Sequence, residues 1–131
     1  MNEHLAVPEE VDAVARGIVD AAFKVHTELG AGLLESAYEL CLAHELRKRG
    51  YTVRTQVMLP IIYDGLQIDA GYRIDLLVNE CVIVEVKSVQ DMHPVFKAQI
   101  LTHIKLAGLR LGLLINFNVA LIKDGIKRVV V

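Results

Sequence analysis

The segment VIVEVKSV, residues 82–89, contains an acid and a base two positions apart within a mostly apolar run. Its β-branched composition predicts a strand in which the side chains of Glu85 and Lys87 lie on the same face. If both faces of this strand are covered, each charge requires an ion-pair partner, a cation or water, because burying an isolated charge is costly. The alternative is an exposed strand end that carries a weak ion pair between the two side chains.

Asp75 provides a second carboxylate within the apolar run GYRIDLLV, and its position relative to Glu85 depends on the loop that joins the two strands. A two-residue loop would place Asp75 on the opposite face of the sheet from Glu85. A three-residue loop, residues 79–81, would place the two carboxylates directly across from each other, with Cα atoms about 4.5 to 5.5 Å apart. We predict the three-residue loop or a bulge, with Asn79 or Glu80 in a left-handed conformation.

Two carboxylates at this separation repel each other unless one is protonated or a cation lies between them. Oxygen ligands at this spacing suit Mg²⁺ or Mn²⁺, hard ions that usually keep several waters and bind substrate phosphate. Lys87 could orient or deprotonate an attacking water, or neutralise charge that develops on the phosphate. The three residues therefore point to metal-dependent hydrolysis of a phosphodiester.

Polar residues on two predicted helices are further candidates for this site. Glu35 lies near the start of the second helix, at the edge of its buried stripe, where stabilisation of the helix dipole is its alternative role. Tyr38, three residues later, lies on the same side, so we predict a polar contact between these two side chains. Gln99 and His103 lie one turn apart on the third helix, where a surface glutamine and a buried, hydrogen-bonded histidine are the alternatives.

The elements that must position these residues follow from changes in the hydrophobic period and from turn residues such as Asp64-Gly65. In chain order, the sequence predicts a helix within residues 8–30, a helix over residues 33–49, three mostly antiparallel strands within residues 51–89, a helix over residues 94–108, a buried strand in LRLGLLINF and a terminal hairpin around Asp124-Gly125. This order, ααβββαβ plus terminal strands, predicts an α/β sandwich around one mixed sheet.

Composition sets limits on what such a protein does. The chain has 131 residues, without a repeat or a linker, which predicts one domain over residues 1–131. It is 53% hydrophobic and 23% charged, typical of a folded globular protein, and the apolar content favours a homo-oligomer. The formal net charge of -2 provides no broad positive field, so a nucleic-acid site must be a local patch or rely on a bound cation.

The N-terminal segment MNEHLAVPEEVDAVARG has acids where a signal peptide needs bases, and no apolar run reaches the roughly 20 residues of a membrane span. We therefore expect a cytoplasmic protein that does not interact with membranes. Cys41 and Cys81 are far apart and lack CxxC spacing, which is typical of small buried apolar residues. A zinc site formed by these cysteines and some of the five histidines is the less favoured alternative.

Four motifs occur in one order along the chain: GLLESAY at residues 32–38, GYRIDLLV with Asp75, VIVEVKSV with Glu85 and Lys87, and AQILTHIKLAGLRLGLLINF with Gln99. With these motifs the chain resembles the GxxExxY protein family, a branch of the PD-(D/E)XK nuclease superfamily, from about Val11 to the C-terminus. The resemblance implies a restriction-endonuclease-like core, in which helices flank a mixed sheet and the metal site lies on adjacent strands.

Carried over by position, the resemblance also implies roles for individual residues. The metal ligands would be Asp75, Glu85 and the backbone carbonyl of Val86, and the catalytic residues would be Lys87, Glu35 and Gln99. From their positions on the helices beside these residues, we expect Tyr38 and His103 to bind the substrate. Two positions depart from the family pattern, since His103 stands where tyrosine is common and Phe96 where histidine is frequent. The metal side of the site is thus kept, whereas the substrate side is altered.

Three hypotheses follow. The first is a Mg²⁺- or Mn²⁺-dependent nuclease that acts on DNA or RNA. The second is a catalytically silent module that uses the nuclease fold to bind nucleic acid, a protein partner or further copies of itself. The third is a metal-binding or sensor protein whose ligands include His93 or His103.

Overall fold

The structure is a computed structural model that describes residues 7–131. Its helices are α1 (Glu9–Leu29), α2 (Glu35–Lys48) and α3 (Pro94–Leu106), and its strands are β1 (Val53–Met58), β2 (Ile61–Tyr63), β3 (Leu66–Ile68), β4 (Arg73–Val78), β5 (Val82–Lys87), β6 (Leu111–Asn116) and β7 (Ile126–Val130). The first six residues of the segment that indicated a cytoplasmic protein lie outside the described range. No helix between residues 7 and 131 has the length and apolarity that crossing a bilayer requires.

Five strands form one mixed sheet in the order β1-β4-β5-β6-β7, in which β5 and β6 are parallel and the other neighbours are antiparallel. This arrangement confirms the predicted α/β class. Helix α3 joins the two parallel strands, because a parallel pair requires a long crossover connection. Helices α1 and α2 pack on one face of the sheet, and α3 packs on the other.

The alternation of β5 divides its side chains between two apolar cores. Val82 and Val84 pack with the residues of α1 and α2. Ile83 packs with Ile100 and Ile104 of α3. Since side chains of a strand alternate, Glu85 lies on the α3 face with Ile83, as the sequence predicts.

The three strands predicted within residues 51–89 are β1, β4 and β5. The turn at Asp64-Gly65 belongs instead to a separate two-stranded hairpin formed by β2 and β3. Asp64 and Gly65 have φ values of 50° and 78°, which suit a tight hairpin turn. Apolar residues of this hairpin are exposed, including Tyr63 at 74%.

The predicted terminal hairpin is wrong. Residues 122–125 form a short 3-10 turn, and the single strand β7 pairs with β6. The physical reason is close packing, because a Cβ atom at Gly125 would lie 2.1 Å from the backbone oxygen of Asn116. The backbone at Gly125 therefore lies directly against the end of β6 and does not form the turn of a hairpin.

The loop between β4 and β5 has the predicted length. Val78 pairs with Val82, which leaves residues 79–81 as a three-residue loop. Asn79 and Glu80 both have a left-handed backbone, with φ values of 49° and 55°. Both predictions are confirmed, and this register brings the backbone of Asp75 opposite that of Glu85.

The loop before α2 is fixed by Tyr38. Its hydroxyl donates to the Gly30 carbonyl at 2.5 Å and accepts from the Leu33 amide at 3.1 Å, while its buried ring stacks on Phe117 with centroids 4.6 Å apart. Gly32 lies within this loop at φ 101°, which disfavours a larger residue. The hydroxyl thus bonds to the loop backbone.

This geometry corrects two expectations for Tyr38. Its polar partners are backbone groups of the loop and not the side chain of Glu35, the predicted contact. Its side chain has no exposed surface, so it fixes the loop and does not reach a bound substrate, contrary to the substrate-binding role predicted from its position on the helix.

Replacing Tyr38 with phenylalanine tests this structural role. The Tyr38→Phe variant should lose about 1 to 3 kcal/mol of unfolding free energy, because the Gly30 carbonyl loses its donor while the ring stack is kept. Urea denaturation measures the loss. Tyr63→Phe, at an exposed hairpin position, is the matched control and should change stability by less than about 0.5 kcal/mol. Equal stability of wild type and Tyr38→Phe would contradict the assigned role.

Candidate active site

A gap between β4 and β5 forms the candidate site. Strand β5 pairs with β6 up to Lys87, but its pairing with β4 ends at Val84. The carboxylate of Asp75 occupies the position where the backbone ladder stops, and its Oδ2 accepts a hydrogen bond of 2.8 Å from the Val86 amide. A side chain thus replaces a strand backbone at the end of the sheet.

Asp75 and Glu85 are close together in this gap. The Asp75 amide lies 3.4 Å from Glu85 Oε2, and Glu85 is only 8% exposed. Burial and the nearby Glu85 carboxylate raise the pKa of Asp75 to about 7, against the opposing effect of the hydrogen bond from Val86. The buried position of Glu85 excludes the alternative of an exposed strand end.

Helix α3 supplies the partners of the acid and the base on β5. His103 Nδ1 lies 2.8 Å from Glu85 Oε1, and Lys87 Nζ lies 4.4 Å from the centroid of the Phe96 ring. Within the described residues, no carboxylate oxygen comes within 4 Å of Lys87 Nζ. The two positions that depart from the family pattern therefore both contact a proposed catalytic or metal-binding residue.

The remaining predicted residues meet in the same place. A cleft of about 140 Å³ is lined by Glu35, Arg73, Asp75, Glu85, Lys87, Phe96, Gln99, Ile100 and His103. Glu35 reaches it from the first residue of α2, because the Ser88 hydroxyl after β5 donates to the Leu33 carbonyl at 2.6 Å. Of the side chains predicted for the nuclease site, Tyr38 alone lies outside the lining of this cleft.

Sequence reasoning missed Glu39 and Gln56. The Gln56 amide nitrogen lies 2.9 Å from Glu39 Oε1 and 3.4 Å from Asp75 Oδ1, so it can donate to both carboxylates. Burial raises the pKa of Glu39, and the carboxylates of Glu85 and Glu35 add to this effect. Gln56 has φ 51° in the middle of β1, a strained conformation of the kind that collects at functional sites.

Two features of the sequence indicate that Glu39 and Gln56 could belong to the site. Glu39 follows Glu35 by four positions, which places both acids on one side of α2. Gln56 is polar within a strand that is otherwise half apolar, but its position opposite Asp75 follows only from the register of β1 on β4. Arg73, two residues before Asp75, also lines the cleft, and no pattern in the sequence points to it.

Asp75 and Glu85 fit a hard divalent cation. Two carboxylates at this distance carry like charges and repel each other, so a cation between them is favoured. In a strand the N–H and C=O of one residue point to the same side, so the carbonyl of Val86 faces the gap as its amide does. A cation here would take these three oxygens and water, which is the way Mg²⁺ is usually bound.

Among residues 7–131, no group of three or more His, Cys, Asp or Glu side chains is arranged to hold a metal ion. This holds for the cleft as well, where the pair Asp75 and Glu85 offers two carboxylates. Cys41 and Cys81 are free thiols in partly buried positions. His93 accepts from the Val95 amide and caps α3, while His103 is engaged with Glu85. The histidines proposed for a sensor protein thus have other partners.

Comparison with protein families matches residues 12–129 to the PD-(D/E)XK nuclease superfamily. Neither the curated proteins nor the solved structures provide a significant match. The family match covers nearly the whole chain and all residues of the cleft.

The raised pKa of Asp75 predicts a pH-dependent stability. Because the folded state holds this proton more tightly than the unfolded state, the stabilisation is complete below about pH 4 and is lost as the pH rises to about 7. Asp75→Asn should flatten this dependence and should be more stable than wild type at pH 8, since the repulsion from Glu85 is removed. Urea denaturation from pH 4 to 8 in the presence of a chelator measures both effects.

Asp64→Asn is the control for this experiment, because Asp64 is exposed at a hairpin turn that asparagine also tolerates. It should keep the pH profile of wild type. A profile of Asp75→Asn that coincides with that of wild type would contradict the described environment of Asp75.

Proposed function

The chain belongs to the PD-(D/E)XK nuclease superfamily, and we propose that it hydrolyses phosphodiester bonds of DNA or RNA with Mg²⁺ or Mn²⁺ as cofactor. Within this superfamily we assign it to the GxxExxY branch, an assignment supported by the motif GLLESAY at residues 32–38. The observation that carries the proposal is the pair of carboxylates, Asp75 and Glu85, in a cleft that also contains Lys87 and Glu35. PD-(D/E)XK nucleases generally use divalent metals.

We propose that Asp75, Glu85 and the carbonyl of Val86 hold the cation. A bound divalent cation supplies Lewis-acid stabilisation of phosphate and lowers the pKa of the attacking water. Support for these ligands comes from the raised pKa of Asp75, because a cation would relieve the repulsion that otherwise favours a proton there. The Val86 amide orients Asp75 through its hydrogen bond.

Lys87 is the proposed catalytic lysine. Its ammonium group rests over the Phe96 ring and has no carboxylate partner within 4 Å among the described residues, so its charge is available to a phosphate oxygen or to water. Glu35 would complete or support the metal shell from α2. Gln99 and Arg73, which also line the cleft, would contact the substrate phosphates.

Several further properties belong to the same proposal. We propose one nuclease-like domain, because strands from both halves of the chain share one sheet. A cytoplasmic location is supported by two free thiols, which reducing compartments preserve. Exposed apolar residues on the β2–β3 hairpin support a homo-oligomer. Nucleic-acid binding would depend on the cleft, because the net charge of -2 gives little general attraction.

Cleavage assays test this function. Purified wild type with Mg²⁺ or Mn²⁺ should cut fluorescent single- or double-stranded DNA or RNA, and Lys87→Ala should reduce the rate at least about 100-fold because it removes a charge at the reacting phosphate. Asp75→Ala should lose activity at every metal concentration. Lys48→Ala is the control, since Lys48 lies at the other end of α2 from Glu35, about 20 Å away.

Two results would contradict the proposed nuclease activity. Cleavage by Lys87→Ala and Asp75→Ala at the wild-type rate would identify a contaminating nuclease. Absence of cleavage by wild type, with metal and oligonucleotide both bound, would support the catalytically silent module instead.

A further inference from the structure

A second cavity adjoins the catalytic cleft. It has a volume of about 260 Å³ and is lined by Ile61, Tyr72, Ala98, Gln99, Thr102, His103 and Leu106. Gln99 and His103 line both cavities. A ligand whose phosphate lies in the cleft therefore has its neighbouring group next to this second cavity.

The lining of the cavity suits a flat, partly polar ring. Ile61 and Leu106 provide apolar surface, and the ring of Tyr72 lies 5.8 Å from that of His103 at an angle of 60°. The amide of Gln99 and the hydroxyl of Thr102 add hydrogen-bonding groups. An apolar cavity with a few polar groups is the usual form of a site for a small organic ligand.

Tyr72 is available for stacking. Its side chain is 46% exposed, and its backbone carbonyl accepts from the Leu59 amide, which anchors the residue without using the ring. Bases of single-stranded nucleic acid stack on exposed aromatic side chains, whereas bases in a duplex already stack on each other.

We propose that this cavity is a nucleobase subsite and that the substrate is single-stranded nucleic acid, with the base next to the scissile phosphate held against Tyr72. The inference rests on the proposed function, because the phosphate in the cleft defines which base enters. The formal net charge of -2 gives little general attraction for a phosphate backbone, so contacts with the bases would add to the affinity that the cleft provides.

Binding of two matched oligomers tests the subsite. One is a fluorescent oligothymidylate about ten nucleotides long, a length that a single small domain can cover, and the other has the same backbone with an abasic unit at every position. Fluorescence anisotropy with Mg²⁺ and the Lys87→Ala variant, which should bind without cutting, gives both dissociation constants. We expect the oligothymidylate to bind about fivefold to 150-fold more tightly than the abasic oligomer.

Variants of Tyr72 locate the preference. In the Lys87→Ala background, Tyr72→Ala should bring the ratio of the two dissociation constants close to one, and Tyr72→Trp should restore it. Phe23→Ala is the matched control, because Phe23 is an aromatic residue of α1 with a similar exposure of 41%. Pairing the oligothymidylate with its complement should weaken its binding.

Each result has one meaning. Equal binding of both oligomers overturns the subsite, as does a ratio that Tyr72→Ala leaves unchanged, and duplex binding as tight as that of the single strand overturns the substrate class. If wild type shows no base preference and forms a dimer that the Tyr72→Ala variant does not form, a second copy of the chain covers the cavity.

Cleavage separates the subsite from the nuclease. Cleavage of both oligomers by wild type at equal rates overturns the subsite and leaves the nuclease standing. Base-dependent binding by a wild type that cuts none of the DNA and RNA substrates of the cleavage assay would overturn the nuclease and leave the subsite standing.

Discussion

The structure depends on keeping two carboxylates, Asp75 and Glu85, close together where two strands of a sheet separate. Burial and mutual repulsion both disfavour two negative charges at this place, and they raise the pKa of Asp75 to about 7. The Val86 amide and His103 offset part of this cost by hydrogen bonding to the two side chains. Either a proton or a cation must supply the remainder, and the proposed divalent ion would do so.

The surrounding elements serve to hold this pair and to bring other groups to it. The three-residue loop between β4 and β5 sets the register that brings the carboxylates together. The buried hydroxyl of Tyr38 fixes the loop from which Glu35 extends. On the other face, Gly112 lets α3 approach β6 closely, since a Cβ atom there would lie 2.8 Å from Ile104. This approach places His103 and Phe96 above Glu85 and Lys87.

Much of the site could be predicted from the sequence because it depends on local rules. Alternation within β5 predicts the face of Glu85, and a three-residue loop predicts the register that brings Asp75 opposite it. The bridge formed by Gln56 was not predictable, because a left-handed glutamine inside a strand violates local preference and depends on tertiary partners. The prediction of a terminal hairpin was wrong for a similar reason. Gly125 packs against the carbonyl of Asn116 and does not form the turn that Asp-Gly usually indicates. The role of Tyr38 also required the fold, because only the loop conformation shows which groups its hydroxyl reaches.

Calorimetric titration with Mn²⁺ tests the central claim most directly. Wild type at a pH above 7 should bind one ion at the carboxylate pair, and Asp75→Asn and Glu85→Gln should each abolish the binding heat, because each variant removes one charged ligand. Near pH 6 the binding should be weaker and should release a proton, since Asp75 is then largely protonated. Absence of binding in wild type, or equal binding by wild type and both variants, would contradict the account.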